Sequence, residues 1–159
     1  NMIQGMLEKS GTLWQCKDFE ELTVPELYEL LALRAEIFVV EQDCPYQDLD
    51  YKDQASCHIR CLRDGRLAGY LRLIAPGVSY ETPAIGRFVV RQDLRRAGLG
   101  RELLRLGVRL CREKWEAPAI TLSGQAYLLE FYKSEGFVPV EGPYLEDGIP
   151  HYKMVLKTK

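Results

Sequence analysis

The segment Ile85-Gly86-Arg87-Phe88-Val89-Val90-Arg91-Gln92-Asp93-Leu94-Arg95-Arg96-Ala97-Gly98-Leu99-Gly100 constrains this chain more than any other. Ala84 to Val90 reads as a largely apolar strand. Leu99, Leu103, Leu106 and Leu110 recur on one stripe of a helix expected from Leu99 to Trp115. A short polar loop joins the two. Its glycines let backbone approach a ligand without a Cβ in the way. The first amides of the helix have no partner within it and lie at the positive end of its dipole. An anion fits there, a phosphate above all. Arg95, Arg96 and Arg101 add charge beside it. A Walker A loop is excluded, because no Gly-Lys-Ser/Thr follows. A dinucleotide fingerprint would need a third glycine where Leu103 stands, and it usually opens a domain rather than falling past its middle.

The flanking sequence supplies the frame. Thr23-Val24-Pro25-Glu26 has the form of a capping box, and Leu27, Leu30, Leu31, Arg34 and Phe38 follow at helical spacing to about Val39 or Val40. Glu41 to Asp53 is polar and acidic and reads as a loop. Cys57 to Arg63 and Leu67 to Ile74 read as strands joined by the turn Asp64-Gly65. Beyond the central helix come a strand from Ala119 to Leu122, a helix from Tyr127 to Glu135 stopped by Gly136, and strands at Phe137–Val140 and Tyr152–Leu156. This order predicts an α/β fold with a mixed sheet.

The 159 residues suit one domain spanning the chain, with Asn1 before Met2 read as the remnant of a tag. A net charge of −2 gives no general pull toward nucleic acid or an anionic membrane. No apolar run approaches the roughly 18 residues of a membrane span, and the start of the chain lacks signal-peptide order. The five cysteines, Cys16, Cys44, Cys57, Cys61 and Cys111, form no Cys-x-x-Cys and no zinc set with a histidine. We therefore expect reduced thiols, no metal and a cytoplasmic location.

The pattern Arg95-x-x-Gly98-x-Gly100 resembles motif A of the GNAT acetyltransferase superfamily. Ala126 to Phe137, with Phe131-Tyr132-x-x-x-Gly136-Phe137 at its end, resembles motif B, one strand later. Arg34 to Tyr46 with Asp48 and Asp50, and the ending Glu146 to Met154, are similar to an ElaA-like subgroup, so the likeness runs from about Leu13 to Leu156. Motif A departs slightly, with Arg96-Ala97 where Gly is commoner. The resemblance implies a GNAT fold, with a mostly antiparallel sheet of about six or seven strands flanked by helices. It implies acetyl-CoA as cosubstrate, its pyrophosphate held by the amides of Arg96, Ala97, Gly98, Leu99, Gly100 and Arg101 beside Arg95. The Phe88, Val89 and Val90 backbone would pair with the pantetheine arm like an added strand.

Acyl transfer to an amine requires a neutral amine, a polarised thioester carbonyl and a stabilised leaving thiolate. By resemblance, transfer is direct in a ternary complex, Tyr132 lies near the sulfur as general acid, and the Val89 amide polarises the carbonyl. For the base, Glu41 follows the first helix, where the acceptor approaches, and His151 sits where a turn precedes the last strand. Each has an alternative reading, as a solvated charge or a structural residue. His58 fits a half-buried position in a strand. Arg72 and Arg87, in apolar strands, need carboxylate partners such as Asp50, Asp53 or Glu41. Cys44 has no neighbouring histidine to activate it as a nucleophile.

From Arg91 to Lys114 eight basic residues face three acidic ones, which suits coenzyme A. Glu41 to Asp53 carries five acidic residues against one lysine. If that loop flanks the acceptor, it favours a cationic amine on a small molecule or peptide. A homodimer stays open. Two rival readings also remain: an acyl-CoA-binding regulatory module without catalysis, and a synthase of the acyl-homoserine-lactone type.

Overall fold

The computed structural model describes residues 6–9, 11–95 and 97–158. Asn1 and Arg96 lie outside the described residues. Eight strands form one sheet: β1 (Met6–Lys9), β2 (Thr12–Asp18), β3 (Ser56–Arg63), β4 (Arg66–Ile74), β5 (Ala84–Val90), β6 (Ala119–Gln125), β7 (Val138–Glu146) and β8 (Ile149–Lys157). Their order is β1-β2-β3-β4-β5-β6-β8-β7. Every neighbouring pair is antiparallel except β5 and β6. That parallel pair is joined by the crossover helix α2 (Leu99–Trp115), as parallel strands require.

The expected mixed, mostly antiparallel sheet is present, with two strands that the pattern did not announce. Both precede Thr23. In β2 the polar Thr12 and Gln15 are buried along with Trp14 and Cys16, so apolar–polar alternation is lost. Gln15 is buried because its amide oxygen takes a hydrogen bond from Arg60 at 2.5 Å. At the other end, β7 and β8 are longer than expected and form a hairpin closed at Asp147-Gly148, both at positive φ. His151 consequently sits inside the last strand, opposite Gln125 of β6 and Tyr144 of β7, and not ahead of it.

Helix α1 (Val24–Arg34) begins at the capping box. Thr23 Oγ1 accepts from the Glu26 amide at 3.2 Å and Glu26 Oε1 accepts from the Thr23 amide at 2.9 Å. Helical winding continues to Glu41, close to the expected end, but not as α-helix throughout. It passes into seven residues of π-helix, Ala35–Glu41, a wider winding that often marks functional positions. The sheet is covered on both faces. Leu71 and Leu73 of β4 join the cluster under α2 and α3 (Leu129–Ser134), while Leu67, Tyr70 and Val89 pack with Leu30, Leu33 and Ile37 of the α1 side.

Between α1 and the sheet lies a polar core of alternating charge. Arg34, wholly buried, places Nε 2.8 Å from Asp48 and Nη1 2.7 Å from Asp53. Arg72 reaches Asp53 at 2.9 Å and Asp50 at 2.7 Å. Arg87 reaches Asp48 at 2.8 Å and Asp50 at 3.3 Å. Three guanidinium groups thus balance three carboxylates, which is how buried charge is tolerated. Burial pushes the Asp50 and Asp53 carboxyls up. The hydrogen bonds and charge of Arg72 on Asp50, and of Arg34 and Arg72 on Asp53, outweigh it and hold both below the usual carboxylate range. His58 belongs to the same core. Its Nδ1 accepts from the Tyr70 hydroxyl at 2.5 Å and its Nε2 donates to the Asp53 carbonyl at 2.9 Å. Burial depresses its pKa and keeps it neutral. This histidine is fully rather than half buried, with both nitrogens engaged inside the fold.

Removing one partner from such a core leaves an uncompensated charge. Asp53→Asn should lower unfolding free energy by about 3–5 kcal/mol, read as a lower urea midpoint at neutral pH; an unchanged midpoint would dispense with Asp53 as the shared partner. Because Asp50, Asp53 and His58 all have depressed values in the folded chain, the unfolded chain takes up protons first as pH falls. Stability should be full above about pH 6.5, decline gradually below it as the unfolded histidine protonates, and fall steeply below about pH 4. Melting temperatures across that range test the two stages.

Candidate active site

The site begins with a defect in the sheet. Tyr70 of β4 faces Val89 of β5, but Arg72 faces Gly86, so Arg87 and Phe88 share the single partner Leu71. This extra residue bends β5. Arg87 stands at φ 49°, unusual for a residue with a side chain. On its other edge β5 pairs with β6 only at Ala84–Thr121 and Ile85–Leu122. Beyond Ile85 the two parallel strands part, and a cleft of about 550 Å³ opens between them.

The free edge of β5 is identified by its hydrogen bonds. The Arg91 amide donates to the Ala68 carbonyl of the β4 side at 2.9 Å, and the Val90 carbonyl accepts from Arg95 Nε at 2.9 Å on the opposite side. Amides alternate along a strand. The Val89 amide therefore points to β4, as Arg91's does, and the Phe88 and Val90 amides face the opening. That differs from the expectation that Val89 supplies the amide for a thioester carbonyl; the odd residue in the bulge sets which amides are free.

Helix α2 starts at the same end of the cleft. Gly98 caps it at φ 80°, a conformation suited to glycine. Glu102 closes the first helical bond onto the Gly98 carbonyl, which leaves the preceding amides of the first turn without helical partners. Phe88, Val89, Val90, Arg95, Gly98, Gly100, Arg101 and Tyr132 line the cleft. Ala97 is exposed beside it, and the Leu99 side chain is buried in the core. Arg95 holds Glu41 through two hydrogen bonds at 2.7 and 3.1 Å. Arg101 pairs with Glu135 and lies 5.1 Å over the Phe131 ring.

Tyr132 projects from α3 into the middle of the cleft wall. Its ring is packed by Phe131 at 5.5 Å, Phe137 at 6.1 Å and Phe88 at 6.4 Å. Gly124 of β6 makes room for it: a Cβ there would lie 2.6 Å from the ring. Burial, with the charge of Tyr127 adding, pushes the phenol pKa up, so Tyr132 holds its proton. The hydroxyl makes no hydrogen bond among the described residues, although only 5% of the residue is exposed.

The opposite end of the cleft is built from the π-helix, the segment after it and the β7–β8 hairpin. Ile37, Phe38, Cys44 and Tyr46 form one wall. Cys44 Sγ donates to the Asp147 carbonyl at 3.3 Å, a thiol tying two walls together. Gln42 and Gln125 exchange hydrogen bonds at 3.1 and 3.2 Å across the cleft. His151 is buried, and its Nδ1 lies 2.6 Å from the Ile149 carbonyl. A carbonyl can only accept, so Nδ1 carries a hydrogen. Nε2 sits 3.5 Å from Glu146. Tyr144 stacks on the imidazole and meets Ser123 at 2.6 Å, which in turn donates to Glu146 at 3.2 Å.

Of the two base candidates, then, His151 lines the cleft with Nε2 beside Glu146, and Glu41 is bound by Arg95 outside the lining. Gly124, Gln42, Gln125, Ser123 and Glu146 escaped the sequence reading. Only Gly124 had a signal, a glycine inside a strand, which marks a close approach. Asp50 and Asp53 supply the carboxylate partners expected for Arg72 and Arg87, and with Asp48 they turn the acidic loop toward arginines rather than toward an acceptor. The carboxylates on this end of the cleft are Glu146 and Asp147, and neither pairs with a lysine or arginine among the described residues. Those residues contain no group of three or more side chains arranged to hold a metal, and no helix long and apolar enough to cross a membrane.

A parallel strand pair that splays at a bulge, beside a helix start capped by glycine, is the arrangement of one class of acyl-transfer folds. The comparisons agree. Residues 26–158 match the model of the acetyltransferase (GNAT) domain, and the chain belongs to that family. It is 41% identical over 143 residues to the protein ElaA of Escherichia coli, covering 89% of this chain and 94% of that one. The crystal structure of E. coli ElaA superposes with a TM-score of 0.85 at 39% identity, covering 91% of this chain and 98% of that one. An acyl-CoA N-acyltransferase from Pseudomonas aeruginosa superposes equally well, TM-score 0.85 at 43% identity, over 90% and 97% of the two chains. A CoA-dependent acyl-homoserine lactone synthase, BjaI, shares the fold at 18% identity, TM-score 0.74, over 94% and 84%.

Gly98→Asp places a carboxylate and a strained backbone where the helix start faces the cleft. It should abolish detectable acetyl-CoA binding by calorimetry while the far-ultraviolet dichroism stays native. Tight binding by this variant would remove the loop from the anion site.

Proposed function

We propose that the protein transfers an acetyl group from acetyl-CoA to a primary amine by direct attack within a ternary complex. The observation that carries this reading is Tyr132, whose hydroxyl has no hydrogen-bond partner among the described residues, in the wall between a free strand edge and the acceptor end of the cleft. The amides of the first turn of α2, with Arg95 and Arg101 beside them, take the pyrophosphate. The open edge of β5 takes the pantetheine arm as a strand takes a neighbour, and one of its free amides, at Phe88 or Val90, polarises the thioester carbonyl.

The amine nitrogen attacks the carbonyl carbon and the carbon–sulfur bond breaks. His151 Nε2 takes the proton that the amine must lose, with Glu146 beside it to balance the charge it gains. Tyr132 gives its proton to the departing thiolate, and water restores it. Glu41 stands outside this path, holding Arg95. Glu146 and Asp147 give the acceptor end a negative potential without basic partners, which favours an amine with a second positive charge. No protein nucleophile is needed, and Cys44 serves as a thiol donor to the hairpin.

Thiol release from acetyl-CoA across spermidine, lysine ethyl ester, a neutral monoamine and an amino sugar tests the reaction. We expect turnover, fastest for the dicationic amines. Binding of acetyl-CoA without turnover of any amine would favour a regulatory module; turnover only with an acyl-carrier-protein donor would favour a synthase. Tyr132→Phe should lower turnover about a hundredfold with acetyl-CoA affinity kept, and an unchanged rate would remove Tyr132 from the reaction. His151→Ala should lose a comparable factor and regain part of it with added imidazole.

A further inference from the structure

The residue at the bulge is not the one that backbone energetics would choose. Gly86 precedes it, has open space around it and does not take a positive φ. Arg87 does, at 49°, where Cβ crowds the carbonyl of an L-residue. A non-glycine residue persists there only if its surroundings enforce it.

The surroundings of Arg87 do so. Nη2 donates to the Asp48 carbonyl at 2.8 Å and to Asp50 Oδ2 at 3.3 Å. Nε faces Asp48 Oδ1 at 2.8 Å as an ion pair, not aligned for a hydrogen bond. The guanidinium lies 6.0 Å over the Phe38 ring and 5.9 Å over the Tyr46 ring. Asp48 and Asp50 are fixed from behind by Arg34 and Arg72. One side chain therefore ties the bulge of β5 to the segment that carries Cys44 and Tyr46, on the acceptor wall.

We infer that Arg87 is a positioning residue for acyl transfer: its anchored guanidinium holds the β5 backbone in the left-handed conformation that opens the strand edge to the thioester. The inference rests on the acyl-transfer reading, since it assigns the geometry of that reaction's donor edge. It does not place Arg87 in contact with reacting atoms. Its role is conformational, and a residue that adopts the conformation unaided should replace it.

Arg87→Ala and Arg87→Gly separate the conformation from the charge. Both remove the same guanidinium and the same ion pairs, but only glycine takes positive φ freely. With acetyl-CoA and the best amine of the panel, we expect Arg87→Ala to lose about tenfold in kcat. Arg87→Gly should stay within about threefold of wild type, with acetyl-CoA affinity alike in both. Equal rates for the two variants, whether both near wild type or both low in folded protein, overturn the inference. Crystal structures of the variants give a second reading that needs no turnover. Glycine should keep a positive φ at position 87, and alanine should relax toward extended backbone. An alanine variant that keeps the bulge unchanged overturns the role. If Arg87→Ala does not fold, Arg87→Gly decides alone: retained kcat supports the inference, and a tenfold loss assigns the work to the guanidinium itself. A wild-type chain that acetylates no amine overturns acyl transfer, and leaves the crystallographic φ to decide Arg87.

Discussion

Everything on the α1 side of this molecule depends on the ring of three arginines and three aspartates beneath the helix. Arg34 comes from the end of α1, Arg72 from β4 and Arg87 from the bulge of β5. Asp48, Asp50 and Asp53 come from one extended segment. That segment has little regular structure of its own, only a short turn of helix at Asp53–Ala55, so hydrogen bonds of a ladder do not hold it in place. Charge does. A ring of this kind is weak evidence for extra stability, because desolvation offsets much of the Coulomb attraction. Its value lies in geometry: each guanidinium has fixed donor directions, and each carboxylate has two oxygens to share. An apolar replacement of similar volume could fill the space and would not fix the segment's path or the bulge.

The ring also explains why the acceptor end of the cleft has its present charge. Read along the chain, Glu41 to Asp53 is an acidic loop and a natural lure for a cation. In space Asp48, Asp50 and Asp53 turn inward to the arginines and Glu41 is held by Arg95, which leaves Asp43 of this loop without an ion pair among the described residues. The carboxylates that line the cleft without a lysine or arginine partner among the described residues are Glu146 and Asp147, about a hundred residues later. Asp50 and Asp53 were legible as partners for Arg72; that Arg34 joins Asp48 and Asp53 is a property of tertiary contact. The need for partners was visible in Arg72 and Arg87, as charged residues in apolar strands.

The rest of what was legible divides along the same line. Elements governed by local rules were readable: the capping box at Thr23, the turn at Asp64-Gly65, the stripe of leucines in α2 and the glycine-bearing loop before it. Elements governed by partners were not. Strand β2 hides Thr12 and Gln15 because Arg60 reaches across from β3, and no alternation survives. The end of α1 follows a helical pattern in sequence, and its π winding, with bonds such as Gln42 to Ile37 and Cys44 to Val39, has no compositional mark. Gly148 and Pro150 point to a turn, with His151 ahead of the last strand. The turn exists, but it is tight enough that pairing resumes at Ile149. The motifs around Arg95–Gly100 and Tyr132 were legible for a different reason: glycine at 98 takes the positive φ that caps α2, a Cβ at 100 would press on the Phe88 ring at 3.3 Å, and both glycines leave a fixed mark in the sequence.

The two ends of the cleft are built on opposite principles, and the proposed reaction uses both. At the donor end the groups that would meet a diphosphate are backbone amides and solvent-facing arginines, cheap to desolvate and already positive. The transfer end is closed by aromatic rings around Tyr132 and by the glutamine pair, where a phenol keeps its proton because burial disfavours its charged form. Among the described residues the phenol has no hydrogen-bond partner, so its proton stays available to an incoming group. In the proposed reaction Tyr132 would be the acid toward sulfur, and His151, with Nδ1 committed to a carbonyl, would offer only Nε2 to the amine. The direction of that proposed transfer would then follow from hydrogen-bonding constraints on each side chain rather than from any single shift in pKa.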